Sequence, residues 1–202
     1  MTAAKPRVVL ASGNAGKLRE VRALLADLCE VLGLDAFPEV ELPEEGDGYR
    51  ENAIAKARTA ARATGLPALG DDSGLEVAAL DGAPGPRSAR YGGAGLDSRE
   101  RNARLLSALA EAPPARREAR FYCVAAIAQP DGGVETADGE CCGRILAEPH
   151  GAGGFGYDPI FQLEGQDRTM AELDPEEKNR LSHRGRAFRR LAPALVEELD
   201  GG

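Results

Sequence analysis

This sequence has no excess of positively charged residues. Lys and Arg number 25 against 33 Asp and Glu, which gives a formal net charge of −8 at pH 7. A protein that binds an extended nucleic acid needs a basic face for the phosphate backbone, and this composition argues against such a face. A small basic pocket around a single nucleotide is still compatible with it.

Paired cysteine motifs and long apolar runs are also absent. Cys29, Cys123, Cys141 and Cys142 lack the spacing of a zinc site or a thioredoxin-like motif, so we interpret them as reduced, mostly buried thiols. For the vicinal pair at 141 and 142 we expect burial rather than redox chemistry. The segment Met1–Arg7 leads straight into a short strand with no long apolar stretch behind it. We therefore expect neither a signal peptide nor a membrane span, and predict a cytoplasmic protein.

The size of the chain favours one domain. With 202 residues, of which 43% are hydrophobic, the chain can bury a substantial core. We predict a single domain over residues 1–202, made of two lobes, rather than two independent domains.

The most informative motif is a pair of carboxylates followed by a hydroxyl. Asp71-Asp72-Ser73-Gly74 comes directly after the apolar run Leu66–Leu69. Carboxylates at a strand end can hold Mg²⁺ through one or two oxygens while substrate phosphates complete its coordination, and one of them can accept a proton from an attacking water. The alternative is an acidic turn, which this sequence also suits. We predict a strand that ends at Gly70 and a second strand over Leu75–Leu80.

A glycine-rich loop follows the first apolar run. Val8–Ala11 predicts a strand, and apolar residues at helical spacing predict a helix after Ser12–Lys17. Such a loop offers backbone N–H groups, the positive end of the helix dipole and the charge of Lys17, which together suit a phosphate. It is not a P-loop, because its glycines are too close together and Leu18 replaces the magnesium-binding hydroxyl. An ordinary strand-to-helix turn is the alternative.

The next helix carries a polar pair on one face. Asn52 and Lys56 are one turn apart on a helix predicted from Tyr49 to about Ala63. Pairs of this kind are more often on the surface than in a site. The acidic loop before the helix, Glu41–Gly48, could be only a solvated connector.

A second glycine-rich segment precedes two aromatic residues. Gly151–Gly156 matches the dinucleotide fingerprint on paper, but Tyr157-Asp158-Pro159 follows where a helix should begin, so we reject that interpretation. A turn that presents Phe155 and Tyr157 is better suited to stacking on an aromatic ring. The alternative is a core aromatic residue on a hairpin.

The second half of the chain predicts a mixed sheet and three helices. A strand over Arg120–Ala128 returns through a hairpin at Asp131-Gly132-Gly133 into a strand over Val134–Ala137, which makes an antiparallel element. Helices are predicted after Asp97 or Ser98, after Asp174 and at Ser182-His183-Arg184. The last of these helices carries an apolar stripe that we expect to pack on the body of the protein, made of Ala187, Phe188, Leu191, Leu195 and Leu199. His183 taken alone is more often a structural histidine than a ligand.

In their order along the chain, these motifs resemble the inosine/xanthosine triphosphate pyrophosphatase family over nearly its whole length. The motifs that carry the resemblance are Ser-Gly-Asn-Ala-Gly-Lys, an acidic loop before Glu-Asn-Ala, Asp-Asp-Ser-Gly-Leu, Ser-Ala-Arg-Tyr, Gly-Phe-Gly-Tyr-Asp-Pro and Ser-His-Arg. Members of that family hydrolyse non-standard purine triphosphates such as ITP, dITP and XTP to the monophosphate and pyrophosphate, using Mg²⁺, usually as homodimers. The resemblance implies an α/β fold with an elongated mixed β-sheet flanked by helices and an active-site cleft between two lobes. It implies neither a nucleic-acid nor a membrane partner.

The resemblance also assigns roles to residues of this chain. It makes Asp72 the proton acceptor and a metal ligand. In the mechanism that we expect, Asp71 helps to orient the metal shell. The second metal ligand is Glu44, although Glu45 stands where the family usually has Thr and leaves a choice between the two. The implied substrate contacts are Ser12, Gly13, Asn14, Ala15, Gly16 and Lys17 for the triphosphate, Ser73 beside Asp72, and Phe155, Gly156, Tyr157, Asp158, Lys178, His183 and Arg184 around the base.

Hydrogen-bond donors around the base would favour hypoxanthine and xanthine. Both present an acceptor at position 6, whereas adenine presents an amino group. Two other functions stay open. One is a pyrophosphatase that acts on pyrimidine or modified triphosphates, and the other is a non-catalytic nucleotide-binding module.

Overall fold

The computed structural model of the protein describes residues 5–200. Residues 1–4 and 201–202 lie outside the described part, and with them lies part of the predicted Met1–Arg7 segment and of the predicted domain over residues 1–202. Within the described part, no helix is both long and apolar enough to cross a membrane.

Helices and strands alternate in the first half of the chain, and strands dominate the middle. The strands are β1 (Arg7–Leu10), β2 (Glu30–Leu32), β3 (Ala68–Val77), β4 (Pro84–Gly85), β5 (Glu118–Ala128), β6 (Val134–Ile145) and β7 (Phe161–Leu163). The helices are α1 (Ala15–Leu24), α2 (Tyr49–Thr64), α3 (Ser98–Ala108), α4 (Pro175–Leu181) and α5 (His183–Asp200).

The strands form a mixed sheet, as predicted. Its order is β2-β1-β3-β5-β6-β7, and β4 pairs with β3 off this path. β1 runs parallel to β2 and β3, whereas the pairs β3–β4 and β6–β7 are antiparallel. The fold is therefore an α/β fold in which helices flank a mixed sheet.

The motif Asp71-Asp72-Ser73-Gly74 is not a turn. We predicted a strand end at Gly70 and a new strand over Leu75–Leu80, but β3 continues through the motif without a break. The prediction was wrong because Asp and Gly usually mark turns, whereas these carboxylates have buried cationic partners that let them lie inside a sheet. The second strand of the predicted hairpin is also longer than expected, because β6 extends to Ile145.

The chain divides into two compact units, each with its own core. Unit 1 comprises the described part of Met1–Asp72, Cys123–Gly139 and Arg184–Gly202, and unit 2 comprises Ser73–Tyr122 and Glu140–His183. The core of unit 1 includes Val8, Leu10, Leu25, Leu69, Ile127, Phe188 and Leu191. The core of unit 2 includes Leu75, Leu105, Phe121, Ile145, Ile160, Phe161 and Met170.

Local signals in the sequence place several helices correctly. Asp97 caps α3 in a capping box, because its side chain accepts from the Glu100 N–H and the Glu100 carboxylate accepts from the Asp97 N–H. Asp174 caps α4, with Pro175 in the first turn. In α5 the predicted apolar stripe is buried: Ala187, Phe188, Leu191 and Leu195 are all at most 1% exposed.

The cysteines are free, as expected, and three of the four are buried. Cys142 is exposed, so the expectation of burial for the vicinal pair holds for Cys141 and is wrong for Cys142. The two residues are neighbours on β6, where side chains alternate between the faces of the sheet, so both cannot point to the same face.

Candidate active site

Close approach of α2 to β3 brings polar side chains of the helix to the carboxylates. A Cβ atom on Gly70 would lie 2.0 Å from the carbonyl oxygen of Ala53, so only glycine allows the helix this near to the strand. Asn52 and Lys56 then reach Asp72, which directly follows Asp71 on β3.

The Asp72 carboxylate is buried and held at both oxygens. Its Oδ1 lies 2.7 Å from Lys56 Nζ, and its Oδ2 accepts a hydrogen bond of 3.1 Å from the Asn52 amide. The Lys56 ammonium also donates to Glu45 at 2.9 Å and to the Asp71 carbonyl oxygen at 2.8 Å. Asp72 is 3% exposed and Lys56 is 5% exposed. Their arrangement is therefore fixed before any ligand binds.

Asn52 also fastens the acidic loop. Its Oδ1 accepts from the Gly46 N–H at 2.8 Å, and its Nδ2 donates to the Gly46 carbonyl oxygen at 3.0 Å. The neighbouring Glu45 is bound by Lys56. The expectation that Asn52 and Lys56 form a surface pair is therefore wrong, because both are buried and both bind Asp72.

Asp71 points to a different set of partners. Lys17 Nζ lies 2.6 Å from its Oδ1, and Arg184 Nε lies 2.5 Å from its Oδ2. The thiol of Cys123 donates to Oδ2 at 3.7 Å. Arg184 makes a further ion pair of 2.7 Å with Glu20. Asp71 has no exposed surface, so its charge is balanced entirely from within the protein.

Burial and neighbouring charges act in opposite directions on these groups. Burial would raise the pKa of Asp71, but the charges of Arg184 and Lys17 outweigh it and hold that pKa well below 3.8. For Asp72, burial outweighs the opposing effects of Lys56 and Asn52, and its pKa is raised above 3.8. Burial would lower the pKa of Lys56, but the Asp72 and Glu45 carboxylates raise it above 10.5. Of the two carboxylates, Asp72 is therefore the better proton acceptor.

The glycine-rich loop has the predicted strand–loop–helix geometry. Asn14 caps α1, because its Oδ1 accepts from the backbone N–H groups of Gly16 at 2.8 Å and Lys17 at 3.1 Å. The Asn14 N–H in turn donates to Ser12 Oγ at 3.2 Å. The loop ends in the lysine that binds Asp71, so loop and carboxylates belong to one cluster within unit 1.

A second cluster lies within unit 2, where the loop before β7 turns around Asp158. The Asp158 Oδ2 accepts from the Phe155 N–H at 2.7 Å and from Lys178 Nζ at 2.5 Å. The Lys178 ammonium also lies 4.6 Å from the centre of the Phe155 ring, in a cation–π contact. Gly154 has a φ of +69°, and a Cβ there would lie 2.1 Å from Asp158 Oδ2. This turn therefore depends on glycine.

Buried hydrogen bonds tie the same loop to the rest of unit 2. The Tyr157 hydroxyl donates to the Ser88 carbonyl oxygen at 3.0 Å, and the Asn102 amide donates to the Gly156 carbonyl oxygen at 3.2 Å. Tyr157 is only 4% exposed. Its ring therefore belongs to the core of unit 2, which was the alternative to a stacking role.

His183 and Arg184 are neighbours in sequence but have different surroundings. The His183 ring stacks on Phe121 with 4.7 Å between the ring centres and an angle of 11° between the planes, and Phe121 packs on Phe161. The Arg184 guanidinium binds Asp71 and Glu20 in unit 1. The two side chains that the resemblance groups around the base thus have separate partners.

Several predicted residues come together, and others do not. Lys17 and Asp71 share one cluster with Arg184, and Phe155, Asp158 and Lys178 share another. Glu44 is exposed, whereas Glu45 is half-buried against Lys56.

The sequence alone indicated no role in the site for Glu20, and it favoured a position on the surface for Asn52 and Lys56. The four-residue spacing of Asn52 and Lys56 was the available signal for that pair. No comparable signal marks Glu20.

In the part of the chain that the structure describes, the protein alone does not provide a full set of metal ligands. Among residues 5–200, no three His, Cys, Asp or Glu side chains come together so that they could hold a metal ion. The oxygens of Asp72 and Glu45 do meet at one ammonium group, at 2.7 and 2.9 Å. A hard cation there would need further oxygen ligands from a bound molecule.

Comparison with known proteins identifies the family. The sequence profile of the Ham1 family matches residues 8–194. The chain belongs to the Ham1 family. It is 49% identical over 197 residues to a dITP/XTP pyrophosphatase of Streptomyces avermitilis, with 96% of this chain and 98% of the relative covered. It is 51% identical over 192 residues to a dITP/XTP pyrophosphatase of Thermus thermophilus, with 95% of this chain and 92% of that relative covered.

A solved structure supports the same assignment. This Ham1 chain superimposes on a HAM1 protein from Coxiella burnetii with a TM-score of 0.84 and 46% identity, covering 95% of this chain and 99% of the other. The resemblance stated from the motifs is thus confirmed for the family and for the fold.

Proposed function

We propose that this Ham1 protein hydrolyses non-standard purine nucleoside triphosphates such as ITP, dITP and XTP to the monophosphate and pyrophosphate. One observation carries the proposal: a buried carboxylate with a raised pKa, Asp72, is held at both oxygens next to the lysine-bearing loop. Relatives of about half-identical sequence are named dITP/XTP pyrophosphatases. We further propose that the protein acts in the cytoplasm, as a single two-lobed domain that forms a homodimer.

The donor set suits Mg²⁺. The carboxylates of Asp72 and Glu45 are hard oxygen donors, and Mg²⁺ is usually bound by one or two carboxylates together with substrate phosphates and water. Asp72 would hold the ion together with Glu44 or Glu45, and the contacts of Glu45 support the latter. When bound, Mg²⁺ supplies positive charge against the phosphate oxygens.

The chemistry of the protein groups follows from their charges. A water oxygen attacks the α-phosphorus while Asp72 accepts a proton from that water, and the bond from the α-phosphorus to the leaving pyrophosphate oxygen breaks. Lys17 offsets negative charge on the phosphates, and the capped start of α1 adds its dipole. Lys56 and Asn52 keep the Asp72 carboxylate oriented throughout. In this proposal Ser73 contacts the substrate beside Asp72.

The base is assigned to the loop of unit 2. Phe155 offers a ring for stacking, and Lys178 and His183 offer donors for a 6-oxo purine. Adenine would leave these donors without acceptors, which explains rejection of ATP. Guanine shares the 6-oxo group, so rejection of GTP requires a penalty against its 2-amino group.

A panel of triphosphates tests the proposal. Purified protein is assayed for pyrophosphate release from XTP, ITP, dITP, GTP, ATP, UTP and a modified pyrimidine triphosphate, each with and without Mg²⁺. We expect kcat/KM to be highest for XTP, ITP and dITP and to require the ion. Equal turnover of GTP, or a preference for pyrimidines, would overturn the substrate assignment. Binding without pyrophosphate release would identify a non-catalytic module.

A further inference from the structure

We propose that Asn102 on α3 is a positioning residue for the loop of unit 2 to which the base is assigned. It holds the Gly156 carbonyl group and thereby fixes Phe155. This inference rests on the proposed function and adds a residue to it. Asn102 lies outside every motif that carries the resemblance, so the sequence alone gives it no role.

Asn102 occupies a position on α3 where an apolar residue would be expected. It precedes Leu105 and Leu109 by three and seven residues, so the three side chains share one face of the helix. Both leucines are fully buried in the core of unit 2, and Asn102 is only 5% exposed. Asn is also a poorer helix former than Leu. Neither the helix nor its packing on the core therefore accounts for an amide at this position.

The amide of Asn102 has a protein partner on its nitrogen but not on its oxygen. Its Nδ2 donates to the Gly156 carbonyl oxygen at 3.2 Å. This orientation follows from the chemistry, because Oδ1 turned to the carbonyl would bring two acceptors together. Among the described residues 5–200, no group donates a hydrogen bond to the buried Oδ1. Since a buried unpaired acceptor is unfavourable, the amide contributes its bond to Gly156 rather than stability of the core.

The loop needs such a restraint because Phe155 lies between two glycines. Gly154 and Gly156 have φ values of +69° and +62°, and glycine loses more conformational freedom on ordering than any other residue. On one side of this stretch the Phe155 N–H donates to Asp158 Oδ2 at 2.7 Å, and on the other side the Gly156 carbonyl oxygen accepts from Asn102. The two hydrogen bonds together set the orientation of the Phe155 ring next to the Lys178 ammonium.

Order in this loop matters for ligands that carry a base. If the loop is ordered in only a fraction of the molecules, the apparent affinity falls by that fraction for any ligand that uses the loop. In the proposed function XTP uses the loop fully, whereas ATP leaves its donors without acceptors and gains less from it. Pyrophosphate has no base, so its binding does not depend on the loop.

The test uses Asn102→Leu and Asn102→Asp, with Ser88→Ala as the matched control. Asn102→Leu removes both the donor and the unpaired acceptor. Asn102→Asp keeps the shape but turns an acceptor towards the Gly156 carbonyl oxygen, and it keeps the test valid if the Leu variant does not fold. Ser88→Ala deletes the hydrogen bonds that the buried Ser88 Oγ makes with Gly85 and Leu75, which are in the same unit but outside the loop.

For each variant we measure kcat/KM with XTP and ATP, pyrophosphate affinity by calorimetry, and amide hydrogen exchange of residues 151–158. Both Asn102 variants should show faster exchange in this segment. The ratio of kcat/KM for XTP to that for ATP should fall by about three- to tenfold, which corresponds to one hydrogen bond, with pyrophosphate affinity unchanged. The Tm of Asn102→Leu should rise or stay within about 3 °C of the wild-type value. Ser88→Ala should lower the Tm and leave the exchange and the ratio unchanged.

Two results would overturn the positioning role. One is a lower Tm for Asn102→Leu with unchanged exchange of residues 151–158 and an unchanged XTP/ATP ratio, which would mean that Asn102 supports only the core. The other is an equal loss for XTP, ATP and pyrophosphate. If the wild-type protein hydrolyses no triphosphate, the proposed function fails. The exchange of residues 151–158 and the affinities for XTP and ATP, measured by calorimetry, then still decide the role of Asn102.

Discussion

The carboxylate cluster of unit 1 and the aromatic loop of unit 2 are built in different ways. The first consists of charged side chains on regular helices and strands, and Asp71, Asp72 and Lys56 in it are nearly or fully buried. The second lies on an irregular loop that depends on Gly154 and Gly156 in left-handed conformations, with one buried ion pair, Lys178–Asp158. Rigid charge suits a reaction at phosphate, whereas a shaped loop suits discrimination between rings.

This contrast leads to a general expectation for variants. Changes in the cluster of unit 1 should lower turnover of all triphosphates by one factor and leave selectivity unchanged. Changes in the loop of unit 2 should alter the ratio between bases. Four variants, taken from the largest expected effect to the smallest, test that division.

Asp72→Asn should give the largest loss. The variant keeps the shape of the side chain but removes the proposed proton acceptor, and general base catalysis is typically worth about 10²- to 10⁴-fold. We expect pyrophosphate release from XTP and from ITP to fall together by such a factor, with the circular dichroism spectrum unchanged. A variant that retains a tenth of the rate would contradict the assignment of Asp72.

Lys56→Met should destabilise the fold as well as the site. It leaves the Asp72 and Glu45 carboxylates without their shared cation, and breaking a buried ion pair typically costs about 3–5 kcal/mol. Urea unfolding measures the loss, with Arg58→Met on the exposed face of the same helix as control. Adding Asp72→Asn to Lys56→Met should recover part of the stability, since the buried charge of Asp72 is then removed as well. Strictly additive losses would mean that the pair is not coupled.

Lys178→Met should change selectivity rather than chemistry. It removes the cation that binds Asp158 and lies over Phe155. In the proposed function it also removes a donor for the 6-oxo group. We expect the ratio of kcat/KM for XTP to that for ATP to fall by about tenfold, the size of one lost hydrogen bond of roughly 1.4 kcal/mol. An equal loss of kcat/KM for every triphosphate would contradict the assignment of selectivity to the loop of unit 2.

Tyr157→Phe should have the smallest effect. It deletes the hydrogen bond to the Ser88 carbonyl oxygen and leaves the ring in the core, so stability should fall by about 1 kcal/mol. Thermal unfolding measures this loss. Selectivity should change little, because the hydroxyl points into unit 2. A large change in the XTP/GTP ratio would show that Tyr157 contacts the base.

Local patterns in the sequence were sufficient to predict several helices. The caps Asp97 and Asp174 and the apolar stripe of α5 are short-range signals, and the structure has each of them. The order of the motifs along the chain was sufficient to identify the family.

The ion pairs that Asp71 and Asp72 make with distant residues could not be predicted from the sequence. The continuity of β3 depends on Arg184, which is 113 residues from Asp71, and on Lys56, which is 16 residues from Asp72. Without those partners a double Asp is expected in a turn. The ion pairs of Arg184 with Asp71 and Glu20 were not predicted for the same reason.

The course of the chain between the two units limits how this protein can change. The unit boundary is crossed four times, between residues 72 and 73, 122 and 123, 139 and 140, and 183 and 184. Neither unit is therefore a continuous segment that recombination could transfer between relatives in one piece. Exchange of one contiguous segment with a relative would therefore replace only part of a unit or would carry residues of both units.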